Sequence, residues 1–291
     1  MRLYQITELE QLTGIKAHTI RIWEKRHNLI EPDRTTTNYR RYNDEQVKKL
    51  LNISTLQSKG YKISKIAALT ENEIHKKVLE IKSSDTDDVI CNSFVNDLIK
   101  AMICFNEASF EKTYSAVLNR FGMFDSMINV FYPLLNKIGL LWSINDVSPA
   151  QEHFASCLMK RKIMSATDGL AMSKGKKNKF LLFLVPGELH EISLLFANYI
   201  IRSKGYETVY LGQDVPYENI SVVVNEIKPK FILTFFTTPQ DEKLIYNHLK
   251  QLHLSKDINL LVCGRTDISE YLNLKLHSQI VKSPQELLTL L

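Results

Sequence analysis

The chain has 291 residues, 44% of them hydrophobic, enough to bury two or three separate cores, which excludes a disordered protein. Its four cysteines, Cys91, Cys104, Cys157 and Cys263, lie far apart with no C-x-x-C pair, which argues against a zinc site or a disulfide framework and fits a reducing cytoplasm. The net charge of +5 is uneven: residues 1–70 carry 13 Lys and Arg against 7 Asp and Glu, or +6, and the remaining 24 against 25, or −1. That excess could attract a phosphate backbone, and charge alone leaves a solvated basic surface equally open. Glu8 and Glu10 interrupt the N-terminus before an apolar run can form. No later stretch approaches the roughly 18 apolar residues of a membrane span, so neither an anchor nor an export signal is expected.

The first predicted helix lies within Ile6–Ile15, with Thr7 as its N-cap, Leu9 and Leu12 on its apolar face, and Gly14 where it stops and turns. A second helix from about Lys16 follows within three residues, which is helix-turn-helix spacing. On it Ile20 and Trp23 share one side, and His18, Arg21 and Lys25 cluster on the other, leaving cations for a major groove. In Arg34–Tyr42, turn residues precede alternating aromatic and basic groups, and Asn38 tolerates the left-handed backbone of a tight hairpin. The expectation is a two-stranded wing on which Arg40 and Arg41 neutralise phosphates, while Tyr39 and Tyr42 add packing and a hydroxyl contact.

Residues 73–88 read as a polar helix tail and linker, the 1–72 segment being a first domain. From 89 to 172 apolar residues recur at helical spacing, as in Phe94, Leu98, Ala101, Met102 and Phe105; breaks near Asn106, Phe121-Gly122 and Ser143–Ser148 divide the stretch into a four-helix bundle. After a linker at Ser173–Lys177, short apolar runs at Phe180–Val185, Thr208–Leu211, Phe231–Phe236 and Leu260–Cys263 alternate with amphipathic segments. This pattern predicts an α/β domain over 178–291, a Rossmann-like (flavodoxin-like) parallel sheet with helices on both faces.

Pro186-Gly187-Glu188-Leu189-His190-Glu191 follows the first of these strands. A histidine there sits at the carboxyl edge, where open α/β sheets bind ligands, and could coordinate a metal with a carboxylate behind it. The other reading is a polar loop residue flanking a helix. No G-x-x-x-x-G-K-[ST], G-x-S-x-G or H-E-x-x-H run is present, so no enzyme activity is expected.

Ile6-Thr7-Glu8-Leu9, Thr13-Gly14-Ile15, Thr19 to Glu24, Leu29-Ile30-Glu31-Pro32 and Asn38-Tyr39-Arg40-Arg41-Tyr42 together resemble the MerR family of winged-helix regulators. The resemblance implies a transcriptional regulator, in dimers on inverted or direct repeats of a double-stranded operator, often with a long coiled coil after the wing. Here the helix around Ser64–Leu69 runs into the polar linker, so dimers or tetramers would have to form through the C-terminal part.

Glu188-x-His190-x-x-Ser193 is similar to the E/D-x-H-x-x-G loop of cobalamin-binding domains, in which the histidine is the lower cobalt ligand. Thr234-x-Phe236 and Cys263-Gly264 fall where that family lines the nucleotide tail; Ser193, Thr234 and Cys263 replace its Gly, Ser and first Gly. Trp142, nine residues, then Glu152-His153 resembles the W-x9-E-H signature of light-responsive MerR-type cobalamin repressors of the CarH/LitR kind. By that likeness Trp142 covers the upper corrin face, Glu152 contacts the adenosyl group, and His153 becomes the upper cobalt ligand after photolysis. A buried Trp and a helix-terminal acid need no ligand to explain them. The implied function is a repressor whose oligomeric state and DNA affinity are set by adenosylcobalamin and light. The alternatives are a cobalamin-independent regulator of the same architecture and a corrinoid-dependent methyltransferase component.

Overall fold

Residues 3–35, 38–84, 87–143, 148–171, 178–238, 241–251, 257–276 and 278–291 are described in a computed structural model. The chain divides into two compact units, residues 1–155 and 156–291.

In the first unit Tyr4 pairs with Tyr42 in both directions, N–H to carbonyl at 2.7 and 2.9 Å. This holds the chain extended, so helix α1 (Ile6–Thr13) starts directly after it. Gln5 therefore occupies the N-cap, its N–H donating to the Glu8 carboxylate, and Thr7, expected as the cap, lies inside the first turn. Gly14, at φ 74°, ends α1 in the left-handed region. Helix α2 (Ala17–His27) begins after Lys16 and ends at Asn28, also left-handed. Leu9, Leu12, Ile20 and Trp23 are buried, each such side chain stabilising the fold by roughly 1.5–3 kcal/mol.

Strands β1 (Asp33–Arg34) and β2 (Arg40–Arg41) pair antiparallel, with Asp33 opposite Arg41 and Arg34 opposite Arg40. Asn38 takes φ 65° and accepts from Arg34 Nη1 at 2.6 Å, as the hairpin reading requires. Thr36 and Thr37, also part of the predicted wing, lie outside the described residues. Helix α3 (Asp44–Ser58) starts with a reciprocal cap between Asn43 and Gln46, and a short α4 (Ile63–Ala67) follows. The passage read as a helix tail and linker is helical over most of its length: α5 (Glu71–Ser84) is capped by Thr70 and Glu73 and buries Ile74 and Val78, four residues apart on one face.

Helices α6 (Asp87–Ile103) and α7 (Glu107–Ser126) meet at Asn106, which caps α7 by accepting from Ser109 N–H at 2.9 Å. Gly122, at φ 70°, bends α7 where a break was predicted. A π-helical turn (Met127–Phe131) leads into α8 (Tyr132–Ser143), and residues 144–147 lie outside the described set. Helix α9 (Pro149–Asp168) follows, the unit boundary falling within it. Tyr114 stacks on Phe131 at 4.5 Å. α3 is seated on α6 by amide and ammonium groups: Asn96 reaches Thr55 and the Leu51 carbonyl, and Lys100 reaches Asn52 as well as Asp97 on its own helix, while Lys137 of α8 reaches Asn96.

The second unit holds strands β3 (Lys179–Phe183), β4 (Glu207–Gly212), β5 (Phe231–Phe236), β6 (Asn259–Gly264) and β7 (Gln279–Val281), all parallel, in the order β4-β3-β5-β6-β7. The helices between them are α10 (Ile192–Ser203), α11 (Tyr217–Ile227), α12 (Glu242–Gln251) and α13 (Thr266–Leu276), with α14 (Pro284–Thr289) at the end. Ile220, Val224, Ile245, Leu249, Ile268 and Leu272 of α11–α13 form one core with Leu181, Phe183, Ile232 and Val262. Right-handed crossovers put α10 and α14, which contact each other, on the opposite face. The order reverses at β3, and the crevice at the carboxyl ends of β3 and β5 is the switch point where such sheets bind ligands. The expected linker at Ser173–Lys177 lies outside the described residues.

Candidate functional site

In the first unit His18, Arg21 and Lys25 are all exposed on α2, while Ile20 and Trp23 face inward. Arg21, Asn38, Tyr39, Arg40 and Arg41 line a cleft of about 340 Å³ between α2 and the wing. Tyr39 is 70% exposed. Arg40 departs from its expected part: its Nε donates to Glu24 Oε2 at 2.8 Å, and Tyr42 Oη donates to Glu24 Oε1. A guanidinium already paired with a carboxylate has less charge to offer a phosphate. Glu24 was not among the expected site residues, although it closes the Thr19 to Glu24 run and stands as a lone acid among the cations of α2. A larger cavity of about 790 Å³ opens between α3, α5, α6 and α7, mixing Lys48, Lys49, Lys100 and Lys112 with Glu45, Glu71 and Asp97. None of the expected site residues borders it.

Glu152 and His153 stand in the first turn of α9, with His153 Nδ1 3.3 Å from Glu152 Oε2 and His153 well exposed. Trp142 is the penultimate residue of α8, and its side chain lies outside what is described.

In the second unit, the loop after β3 turns at Gly187, at φ 80°, whose N–H donates to Asp214 at 2.8 Å. The next residue, Glu188, has no exposed surface. Its Oε1 accepts from His190 Nδ1 at 2.7 Å and His190 N–H at 3.0 Å; its Oε2 accepts from Thr237 N–H, Thr238 N–H and Thr238 Oγ1 at 2.7, 2.9 and 3.1 Å. Burial alone would raise this carboxyl, but the hydrogen bonds from His190, Thr238 and Thr237 outweigh it and hold it at about 2. A carboxylate cannot donate, so the proton in the contact sits on Nδ1, which leaves the lone pair of the neutral ring on Nε2. The side chain of His190 is 58% exposed. Thr237 and Thr238 were missed in the sequence because they act chiefly through backbone N–H groups, which any residue would supply, with the Thr238 hydroxyl adding one donor.

Ser193 is half-buried in the first turn of α10. Thr234 and Cys263 are both buried, but the sheet does not bring them to one face. Thr234 pairs with Val262 and so points with Ile232 toward α11–α13, whereas Cys263 pairs with Phe235 on the face of α10 and α14. Burial pushes the Cys263 thiol up to about 12. Thr234 Oγ1, and Asn198 Oδ1 on α10, are buried without a hydrogen-bond partner among the described residues. Gly264, at φ 98°, comes so close to the end of β5 that a Cβ there would lie 2.2 Å from the Phe236 carbonyl oxygen.

Residues 4–73 match the model of the MerR HTH family regulatory protein, and residues 95–165, which span most of α6 to α9, match the B12 binding domain. The chain carries a MerR HTH domain followed by a B12 binding domain. It is 26% identical to the HTH-type transcriptional repressor CarH of Myxococcus xanthus over 234 residues, 79% of this chain and 78% of the relative. To the repressor CarA of the same organism it is 24% identical over 237 residues, 80% of this chain and 76% of that one. The fold is similar to that of the monomethylamine corrinoid protein of Methanosarcina barkeri, with a TM-score of 0.57, 16% identity, and coverage of 66% of this chain and 94% of that one. Among the described residues no helix is long and apolar enough to cross a membrane.

Proposed function

We propose that this regulator is a repressor whose oligomeric state and affinity for double-stranded operator repeats are set by cobalamin, with light as the release signal. In this reading residues 1–72 are the DNA reader, residues 89–172 a four-helix bundle that caps the cofactor, and residues 178–291 the domain that holds it, and the protein works in the cytoplasm.

The observation that carries the reading is the Glu188–His190 pair. Histidines that bind metals donate their other ring N–H to a carboxylate, which fixes the tautomer and turns the lone pair outward. Glu188 does this from a fully buried seat at the switch point. His190 is accordingly assigned to the lower side of cobalamin, and Trp142, Glu152 and His153 to the upper side. Adenosylcobalamin, when bound, supplies a cobalt–carbon bond that light can cleave. The chain's own part is to orient the imidazole and to gather several DNA readers on one operator, so that effective concentration multiplies weak contacts.

The test is dark incubation with adenosylcobalamin followed by gel filtration monitored by absorbance. The expected result is a coloured, larger species that shrinks under green light. A colourless protein eluting as before overturns cobalamin control.

A second reading keeps the architecture and drops the cofactor. Ser193 and Cys263 carry side chains where the family's pattern has glycines, and Cys263 lies on the face of α10 and α14. This reading predicts a stable DNA-binding oligomer in the absence of any corrinoid.

A further inference from the structure

Glu24 sits on the recognition helix, where a negative charge would repel a phosphate backbone. Its side chain is only 7% exposed, and both of its oxygens are taken by the wing, Oε2 by Arg40 and Oε1 by Tyr42. Tyr42 is wholly buried, and its backbone is paired with Tyr4, so it is a fixed point. Its phenol, raised by burial and then by Glu24, keeps its proton and stays a donor. Arg40 and Arg41 are neighbours on β2, where successive side chains leave on opposite faces. Both border the cleft with Arg21 and Tyr39, but Arg40 is paired with Glu24, whereas Arg41 takes part in no ion pair among the described residues.

We propose that Glu24 is a positioning residue that straps the wing to the recognition helix through Arg40 and Tyr42, and that Arg41 and Arg21, not Arg40, are the phosphate-neutralising cations of the cleft. The strap fixes the angle between wing and helix and cancels the two charges that would otherwise compete with DNA contacts. This inference rests on the DNA-binding reading and adds which residues act and how.

The test uses the full chain with two duplexes, one of arbitrary sequence and one enriched from a random pool by the parent protein, each titrated over a range of salt. Arg41→Gln should flatten the salt slope by about one on both duplexes. Arg40→Gln should leave the slope unchanged and lower affinity for the enriched duplex about tenfold, since a tilted wing loses its register while the phosphate charge stays. Glu24→Gln, which keeps size and one acceptor oxygen, should release Arg40 and steepen the slope. The exchange Glu24→Arg with Arg40→Glu should recover part of the preference for the enriched duplex, which a loss of folding could not.

If Arg40→Gln flattens the slope as Arg41→Gln does, Arg40 is a phosphate contact and the strap is wrong. A parent chain that binds neither duplex overturns the DNA-binding reading instead. The strap is then judged on the free protein: Glu24→Gln and Arg40→Gln should each lower the melting temperature and the double variant no further, whereas additive losses would refute it.

Discussion

Asn96 on α6 donates through Nδ2 to Thr55 Oγ1 on α3 at 3.0 Å, a buried contact between residues 41 positions apart. Thr55 in turn donates to the Leu51 carbonyl at 3.1 Å, so the amide meets a hydroxyl whose own proton is already committed. Hydrogen bonds of this kind contribute about 1 kcal/mol when made, and buried partners left unmatched cost about 1–3 kcal/mol.

Asn96→Ala is therefore expected to lower the stability of the full chain by about 1–3 kcal/mol in urea titrations. Thr55→Val should cost a similar amount, and the double variant less than the sum. Additive losses would mean that the two residues act independently.

Lys137 reaches the same amide, donating to Asn96 Oδ1 at 3.4 Å, and burial lowers its ammonium from 10.5 to about 8. The sign follows from which state holds the proton. Between pH 8 and 10.5 the unfolded chain keeps a proton that the folded chain has lost, so this group makes stability rise with pH across that window. Below pH 8 it is a steady cost. Lys137→Met should stabilise the protein at pH 7 by on the order of 1–2 kcal/mol and flatten the alkaline part of its stability profile. A profile as steep in the variant as in the parent would assign the slope to other groups.

Much of this organisation is legible in the sequence. Helix-turn-helix spacing, the Asn38 hairpin, the α7 break at Gly122 and four of the five parallel strands follow from periodicity and backbone preference, which are local. The fifth, Gln279–Val281, is too short for any alternation to register. Residues 73–88 read as a helix tail and linker because their polar composition hides the Ile74 and Val78 pair of α5, whose burial depends on other helices. Contacts between segments far apart are invisible for the same reason. Nothing near Arg40 marks Glu24 as its partner 16 positions away, and nothing near Glu188 marks the N–H groups of Thr237 and Thr238.

Glu188→Gln should weaken cobalamin binding about 10–100-fold, measured by absorbance titration, because the amide is a poorer acceptor and no longer makes the imidazole more basic. His190→Ala should remove the lower-ligand contribution to the spectrum. Unchanged spectra in both variants would separate this pair from any corrinoid.

Gly264→Ala should destabilise the second unit by roughly 3 kcal/mol or more, read as an earlier thermal transition. A methyl group 2.2 Å from the Phe236 carbonyl oxygen must push β5 and β6 apart, and the left-handed φ adds strain. A variant as stable as the parent would show that the strand ends yield more easily than their spacing implies.

The amide and ammonium groups between α3 and α6 also limit how this protein can be recombined. A hybrid that imports another regulator's DNA reader up to α5 would bring a foreign α3 against Asn96, depriving its buried amide of the Thr55 hydroxyl. Because α3 is also held to α1, where Ser54 Oγ donates to the Thr13 carbonyl at 2.9 Å, new operator specificities are best introduced by exchanging the exposed residues of α2 and the wing and leaving α1, α3 and α6 together.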